Sequence, residues 1–385
     1  MSVRLSNSSV NKFMDCGQAY NLSYNKKLVS RYKGSALFFG SAIDDTLNEV
    51  LEDFDKEEKQ DYYKVFDSAW TNGRIHGNQV AFLPTYEDIK YSKKDFDADL
   101  LQEEDLVNFQ KVDKRFNTEV GLNIPQFIET VYKEIKEKGF GEVDEDIRSV
   151  YNYAHWLSMR RKGHLMIDAY IEQILPDFGE ILSVQKKVEL QDDEGNGLLG
   201  YVDFIPRLKD GTILLPDNKT SGRRYTWDEA GKAPQLLLYR NILNSIAESD
   251  SPEWRFHIDK VGFYVLYKNL VKKETKTCVK CGVVNEGSHK TCPEPIDANK
   301  KATGKNRCNG DFEKSYEYAV ETDKIINKPD ERMSDIVMEN IDNVVRAIKN
   351  DIYIKNFNAC ETKYGTLCDY YDLCHKGSEK GLVTK

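Results

Sequence analysis

Apolar positions along the first 54 residues recur at helical spacing. Behind the polar start LSNSS, the stretch VNKFMDCGQAYNLSY sets Val10, Phe13 and Met14 on one side of a capped helix. In 36–54, ALFFGSAIDDTLNEVLEDF, the residues Ile43, Leu47, Val50 and Leu51 share one face of a second helix that opens near Gly40. From about 55 to 150 the chain is highly charged, with scattered aromatics and helical patches such as IPQFIETVYKEIKEK, which predicts a helical insertion. A long amphipathic helix over roughly 151–175 follows. The period then shortens to two in EILSVQKKVEL, LLGYVDFIPRL and TILLPDNKT. The connections QDDEGNG and KDG have hairpin chemistry, so the three strands are expected to form an antiparallel meander. A helix starting near Pro234, a strand KVGFYVLYK, a cysteine-rich stretch at 278–308 and a helix at 331–350 complete the pattern.

A chain of 385 residues has room for two or three modules, or for one large α/β domain with insertions. Its net charge of −9 weighs mildly against a dedicated nucleic-acid coat protein, whose affinity comes from lysines and arginines displacing counterions. A nuclease is not excluded, because an acidic metal site coexists with a local basic groove. No run of about 18 apolar residues occurs, and MSVRLSNSSVNKF lacks the apolar stretch of a signal peptide. The expectation is a soluble protein with no membrane partner, in the cytoplasm of a bacterial or phage-infected cell. Eight cysteines in such a chain point to metal ligation rather than disulfides.

The chemistry concentrates where the aliphatic run ILLP meets Asp217, Asn218 and Lys219. Alternate side chains of a strand share a face, so Asp217 and Lys219 point the same way at the strand end. If GYVD pairs with this strand through the LKDG turn, Asp203 joins Asp217 on one cation. Hard oxygen ligands suit Mg²⁺ or Mn²⁺, and a lysine beside the metal can hold the attacking water and meet charge on a phosphate. Taken singly, each fragment also reads as an ordinary polar turn. The ordered series adds an acid after GSAI and a helix carrying Gln235 and Tyr239 four apart.

The series GSAID, GYVD, DNKTS and QLLLY resembles the RecB-like branch of the PD-(D/E)XK nuclease superfamily, with its G-x-x-x-H, G-x-x-D, D-x-K-T and Q-x-x-x-Y strings. LSNSSVNKFMDCGQAYNLSY is similar to the opening helix of that branch. The resemblance covers both chain ends and 155–270, but not 55–150 or 278–308. It implies that Asp203 and Asp217 bind the metal, that the Asn218 carbonyl completes the shell, and that Lys219 is catalytic. Gln235 and Tyr239 would lie against the active site and the DNA backbone. Asp44 stands where the family has a metal-binding histidine. An aspartate can still bind Mg²⁺ or Mn²⁺, directly or through water, so Asp44 is expected as a metal ligand in an altered set, with Asp45 as the alternative.

Cys360, Cys368 and Cys374, with Cys16 in the first helix, resemble the [4Fe-4S] staple of RecB-like, AddB-like and CRISPR-adaptation nucleases. Gly365 occupies the place of the usual first cysteine, and free thiols or a zinc site are the alternatives. The second set, Cys278, Cys281, Cys292 and Cys308, opens with C-x₂-C-G and reads as a zinc-ribbon-like insertion. His289 could replace one of these thiolates, and unpaired surface thiols are the other reading.

The whole predicts an α/β restriction-endonuclease-like core, a central mixed β-sheet flanked by helices, with a helical insertion and a zinc-ribbon-like insertion. Its expected divisions are N-terminal core helices at 1–54, the insertion at 55–150, the nuclease core at 151–270, the zinc module at 271–312, and a C-terminal helix with the iron–sulfur staple at 313–385. The expected activity is Mg²⁺- or Mn²⁺-dependent hydrolysis of DNA, as an exonuclease or in processing single-stranded ends, in recombination, repair or replication, with single-stranded DNA or duplex ends as the partner. The chain has no G-x-x-x-x-G-K-[ST] loop, so unwinding would fall to a partner helicase or recombination protein. CRISPR spacer processing and a non-catalytic DNA-binding scaffold are the alternatives.

Overall fold

Leu214, Leu215 and Pro216 are buried in succession, without alternation, and this run organises the sheets around it. The structure is a computed structural model. It describes residues 2–30, 33–72, 89–91, 96–101, 124–191, 194–249, 254–285, 289–296, 301, 303, 306–361 and 367–384. Much of the expected insertion, namely 73–88, 92–95 and 102–123, lies outside the described residues, as does Gly365.

Helix α1 (Asn7–Asp15) begins on a capping box in which Ser6 and Ser9 satisfy each other's backbone N–H. It stops at Cys16, which is extended, before a short turn of helix at Gly17–Tyr20. Val10 is buried, but Met14 faces solvent, contrary to the expected face. Helix α2 (Ser35–Glu52) starts behind Gly34 rather than near Gly40 and buries Ile43, Leu47, Val50 and Leu51. Helices α3 (Tyr62–Asn72) and α4 (Ile124–Lys138) pack with the long α5 (Glu145–Gln173). Helix α5 starts six residues before the expected 151, because the Asp144 carboxylate caps the N–H groups of Asp146 and Ile147.

Strands β1 (Phe178–Gln191) and β2 (Gly197–Leu208) form the expected antiparallel pair, and Arg4–Leu5 adds a short parallel strand to β2. The meander ends there. At the KDG turn Gly211 takes φ +89°, the Leu208 N–H donates to the Thr212 carbonyl at 2.8 Å, and Arg207 bridges Ile213. Strand β3 (Leu214–Ser221) then runs beside β2 without a continuous ladder. After helix α6 (Pro234–Glu248) it pairs in parallel with β4 (Lys260–Tyr267), from Leu214 opposite Lys260 to Ser221 opposite Tyr267. Seven consecutive buried residues in β4 explain the choice: a strand apolar on both faces belongs inside a covered sheet, and the intervening helix supplies the crossover.

Beyond β4, β5 (Val271–Cys278) and β6 (Phe312–Ala319) make an antiparallel ribbon, and β7 (Thr322–Asn327) returns to pair with β4. Helix α7 (Glu331–Lys349) packs Val337, Ile341 and Val344 against the α6 side of the sheet. The molecule is thus mixed α/β with several small sheets. One core cluster gathers α2 to α5, and the other lies between the strands and α6 and α7. Among the described residues no helix is long and apolar enough to cross a membrane.

Candidate active site and metal centres

Strand β3 does not end at the acid, as the sequence suggested. It runs on to Ser221, so Asp217 and Lys219 sit in mid-strand on one face. The Lys219 ammonium meets the buried Asp217 carboxylate directly. Asn218 turns to the other face, buried beside Tyr170 of α5.

Asp203 arrives from β2 by a different route from the expected full pairing. The antiparallel register of the Arg207–Ile213 bridge, continued along both strands, sets Asp203 opposite Asp217. Asp44 comes from α2, which crosses β3 where a Cβ at Gly40 would lie 3.8 Å from Thr220 Oγ1, one turn before the acid. Burial and the charges of Asp203 and Asp217 push Asp44 up to about 8. Burial and Asp217 push Asp203 up to about 6, and burial raises Asp217 against the pull of Lys219. On Lys219 burial acts downward, but Asp217 outweighs it and holds the ammonium above its usual value.

One buried carboxylate, Asp217, and two half-buried ones, Asp44 and Asp203, thus face one ammonium, and the negative excess fits a hard divalent cation. The carboxylates do not draw together as tightly as the cysteines described below. Asp45 does not replace Asp44: it lines a separate open cleft of about 540 Å³ with Glu49, Gln60 and Lys64, between α2 and α3.

Tyr239 is buried on α6 and closes the site over β2. Its ring fills the space above Gly200, and burial, then Asp203 and Asp217, raise its hydroxyl. Gln235 is half-buried one turn earlier on the same helix. The sequence reading missed Tyr225, whose ring centroid lies 5.3 Å from that of Phe263, the ring beneath the Lys219 ammonium. No periodicity marks a loop tyrosine, and only its place six residues after Lys219 could have suggested it.

Cys278, Cys281, Cys292 and Cys308 converge, with all four sulfurs within 4.8 Å of one another. Cys278 and Cys308 are 3.7 Å apart, and Cys281 and Cys292 3.5 Å. Tetrahedral zinc–thiolate bonds imply sulfur separations of about 3.8 Å. Four cysteines this close can bind a metal ion such as zinc. Burial raises Cys278, but N–H groups of Cys281 and Lys280 aimed at its sulfur outweigh that and lower it to about 7. His289 is exposed and is not drawn into this group.

Cys16, Cys360, Cys368 and Cys374 are half-buried, and the thiols of Cys368 and Cys374 are raised. Burial is the largest cause for Cys368 and Cys374, with Cys16 and Cys360 adding to it. The chain ends meet around them. Asn356 donates from its N–H to Cys16 Sγ at 3.4 Å and from its side chain to the Asp15 carbonyl at 2.9 Å. Leu28–Ser30 pairs with Leu382–Thr384. These sulfurs are not gathered as tightly as the other four.

The basic run on α5 is engaged within the protein. Arg160 pairs with Asp67, Arg161 donates to the Leu100 carbonyl, and Lys162 is buried. The chain matches no family model, and a search of curated proteins returns no match.

Proposed function

We propose that this chain is a Mg²⁺- or Mn²⁺-dependent deoxyribonuclease with a restriction-endonuclease-like core, of the RecB-like branch of the PD-(D/E)XK superfamily. The observation that carries this reading is the convergence of Asp44, Asp203 and Asp217 from three elements onto a face shared with Lys219. Such groups sit in strained ionisation states for a purpose more often than by accident.

A divalent ion held by Asp44, Asp203 and Asp217 would supply Lewis acidity toward a phosphodiester and ease deprotonation of the attacking water. Lys219 orients that water and offsets charge growing on the phosphate oxygens. Asp217 keeps the ammonium charged and aimed along β3. Tyr239 and Gln235 border the path of the backbone on α6. The cysteine sets have supporting roles: zinc shapes the tip of the β5–β6 ribbon, and a [4Fe-4S] cluster on Cys16, Cys360, Cys368 and Cys374 ties the chain ends.

The test is cleavage of end-labelled single-stranded and duplex DNA with Mg²⁺, Mn²⁺ or EDTA. Metal-dependent cleavage by the iron-loaded, folded protein, abolished in Lys219→Ala, supports the reading. Binding that persists in EDTA, with no strand loss in Mn²⁺ on any substrate, replaces it with a non-catalytic DNA-binding role.

A further inference from the structure

Immediately after β3 the loop GRRYTWDE carries the largest ring that the protein shows to solvent. Trp227 is 82% exposed, whereas Trp70 and Trp254 are buried and Trp156 is half-buried. Leaving an indole in water forgoes most of its burial energy, so the position calls for a reason.

The loop beneath the indole is fixed. The Trp227 carbonyl accepts from Asn327 Nδ2 at 2.9 Å, the Thr226 N–H donates to Glu229 at 3.2 Å, and the Gly222 carbonyl accepts from Asn269 at 3.1 Å. Arg223 pairs with Glu229 and stacks 3.9 Å above the Tyr225 ring. Arg224 pairs with Glu321 and stacks 4.0 Å above Tyr267. The acids that would repel a phosphate backbone are thereby partnered: Glu229 by Arg223, Asp228 by Lys232, and Glu321 and Asp323 by Arg224. Tyr225, two residues before the indole, reaches back to Phe263 and the field of Lys219. The loop is therefore a rigid continuation of the strand that carries the candidate catalytic pair.

We infer that Trp227 is a stacking platform for an unpaired base of single-stranded DNA led into the Asp217–Lys219 site. An indole stacks on any base, whereas a base inside a duplex has both faces covered. The platform therefore selects single-stranded ends without reading sequence. Arg223 and Arg224, stacked on Tyr225 and Tyr267 and paired with their acids, hold the loop that presents the indole. This inference rests on the nuclease reading for the strand's destination, but the stacking itself is measurable without catalysis.

The experiment is a fluorescence titration of the full, metal-loaded chain in Ca²⁺ in place of Mg²⁺ or Mn²⁺, with Lys219→Ala run in parallel. The probes are a short oligothymidylate and a blunt hairpin duplex. Oligothymidylate quenches the exposed indole in the wild type and in Lys219→Ala and shields it from iodide, whereas the duplex does neither. Trp227→Ala removes the quench and weakens oligothymidylate binding by about 5- to 100-fold. Trp227→Phe keeps part of the affinity. Because the side chain is exposed, neither variant threatens the fold, which circular dichroism checks. Unchanged indole emission on binding, or equal affinity in Trp227→Ala, overturns the platform even if Mn²⁺ cleavage is intact. Conversely, a Trp227-dependent quench without cleavage in Mn²⁺ keeps the platform and removes the nuclease.

Discussion

The ring of Tyr239 occupies the space that a side chain at Gly200 would take: a Cβ there would lie 2.3 Å from Tyr239 Cε1 and 2.8 Å from its hydroxyl oxygen. The glycine of GYVD and the tyrosine of QLLLY are thus two halves of one contact, across which α6 rests on β2. Gly200→Ala must push the ring off the strand. Overpacking of this kind costs about 1–3 kcal/mol. We expect a lower melting temperature and weaker Mn²⁺-dependent cleavage. In the Tyr239→Ala background Gly200→Ala should cost little further stability, because the ring it would displace is gone, which a double-mutant cycle of melting temperatures would check.

Lys219 has two roles that one substitution separates. Lys219→Met keeps the bulk of the stem and removes the charge. Loss of a preorganised charge at a phosphate typically lowers turnover by about 10²–10³-fold. It also leaves buried Asp217 without its counter-charge, so the variant should melt lower in EDTA and gain more from Mn²⁺ than the wild type does. Equal gains in Mn²⁺ would place the ion away from Asp217.

Asp44 faces the carboxylates of Asp203 and Asp217, whose charges add to the burial that disfavours its own. Asp44→Asn relieves that repulsion while weakening the cation site. In metal-free buffer the variant should be more stable than the wild type by about 1 kcal/mol or more, the trade expected where function strains a fold. Adding Mn²⁺ should raise the wild-type melting temperature and leave that of the variant nearly unchanged. Calorimetric titration with Mn²⁺ gives the same answer directly.

Much of the architecture could be read from periodicity because local chemistry decided it. The Ser6 cap, the Pro234 start of α6 and the β1–β2 hairpin all depend on neighbours in sequence. The partner of β3 did not. Both β2 and β4 were plausible neighbours, and alternation says nothing about which strand wins. The unbroken burial of Leu214, Leu215 and Pro216 was the available sign of a covered, parallel strand. The grouping of Asp203, Asp217 and Lys219 was legible because it needs only a strand's period of two and one turn. Tyr225 and Trp227 were not legible, since their placement comes from loop contacts with Glu229, Asn269 and Asn327.

Away from the site, Asp67 joins α3 to α5, accepting from Arg160 Nε at 2.7 Å and His164 Nε2 at 2.8 Å. Burial alone would raise its carboxyl, but these donors outweigh it and hold the group below its ordinary value. A folded-state value below the unfolded one stabilises above the unfolded value of about 3.9 and is lost as pH falls through the folded one. Asp67→Asn should therefore cost about 1–3 kcal/mol near neutrality, the worth of hydrogen bonds to a charged group. The gap to wild type should narrow below about pH 4. Urea denaturation at both pH values measures it, and a gap that widens in acid would contradict the assignment.

The four-cysteine knot at the ribbon tip makes a prediction that separates it from the other cysteines. A Cβ at Gly310 would fall 2.6 Å from Cys278 Sγ, so the knot closes only because that position is glycine. Among the described residues, Cys278, Cys292 and Cys308 are buried with only Phe312 packed against them, and a metal on the four sulfurs would order this tip. Such small sites gain much of their folding free energy from the ion. We expect about one zinc per chain by elemental analysis, in addition to any iron, and a loss of that zinc in Cys292→Ser and Gly310→Ala. Because β5 and β6 pair along eight residues below the knot, the loss should expose the tip to protease while the α6–α7 core keeps its melting temperature. Eight thiols that react with Ellman's reagent in the native protein before any chelator is added would show that this knot holds no metal.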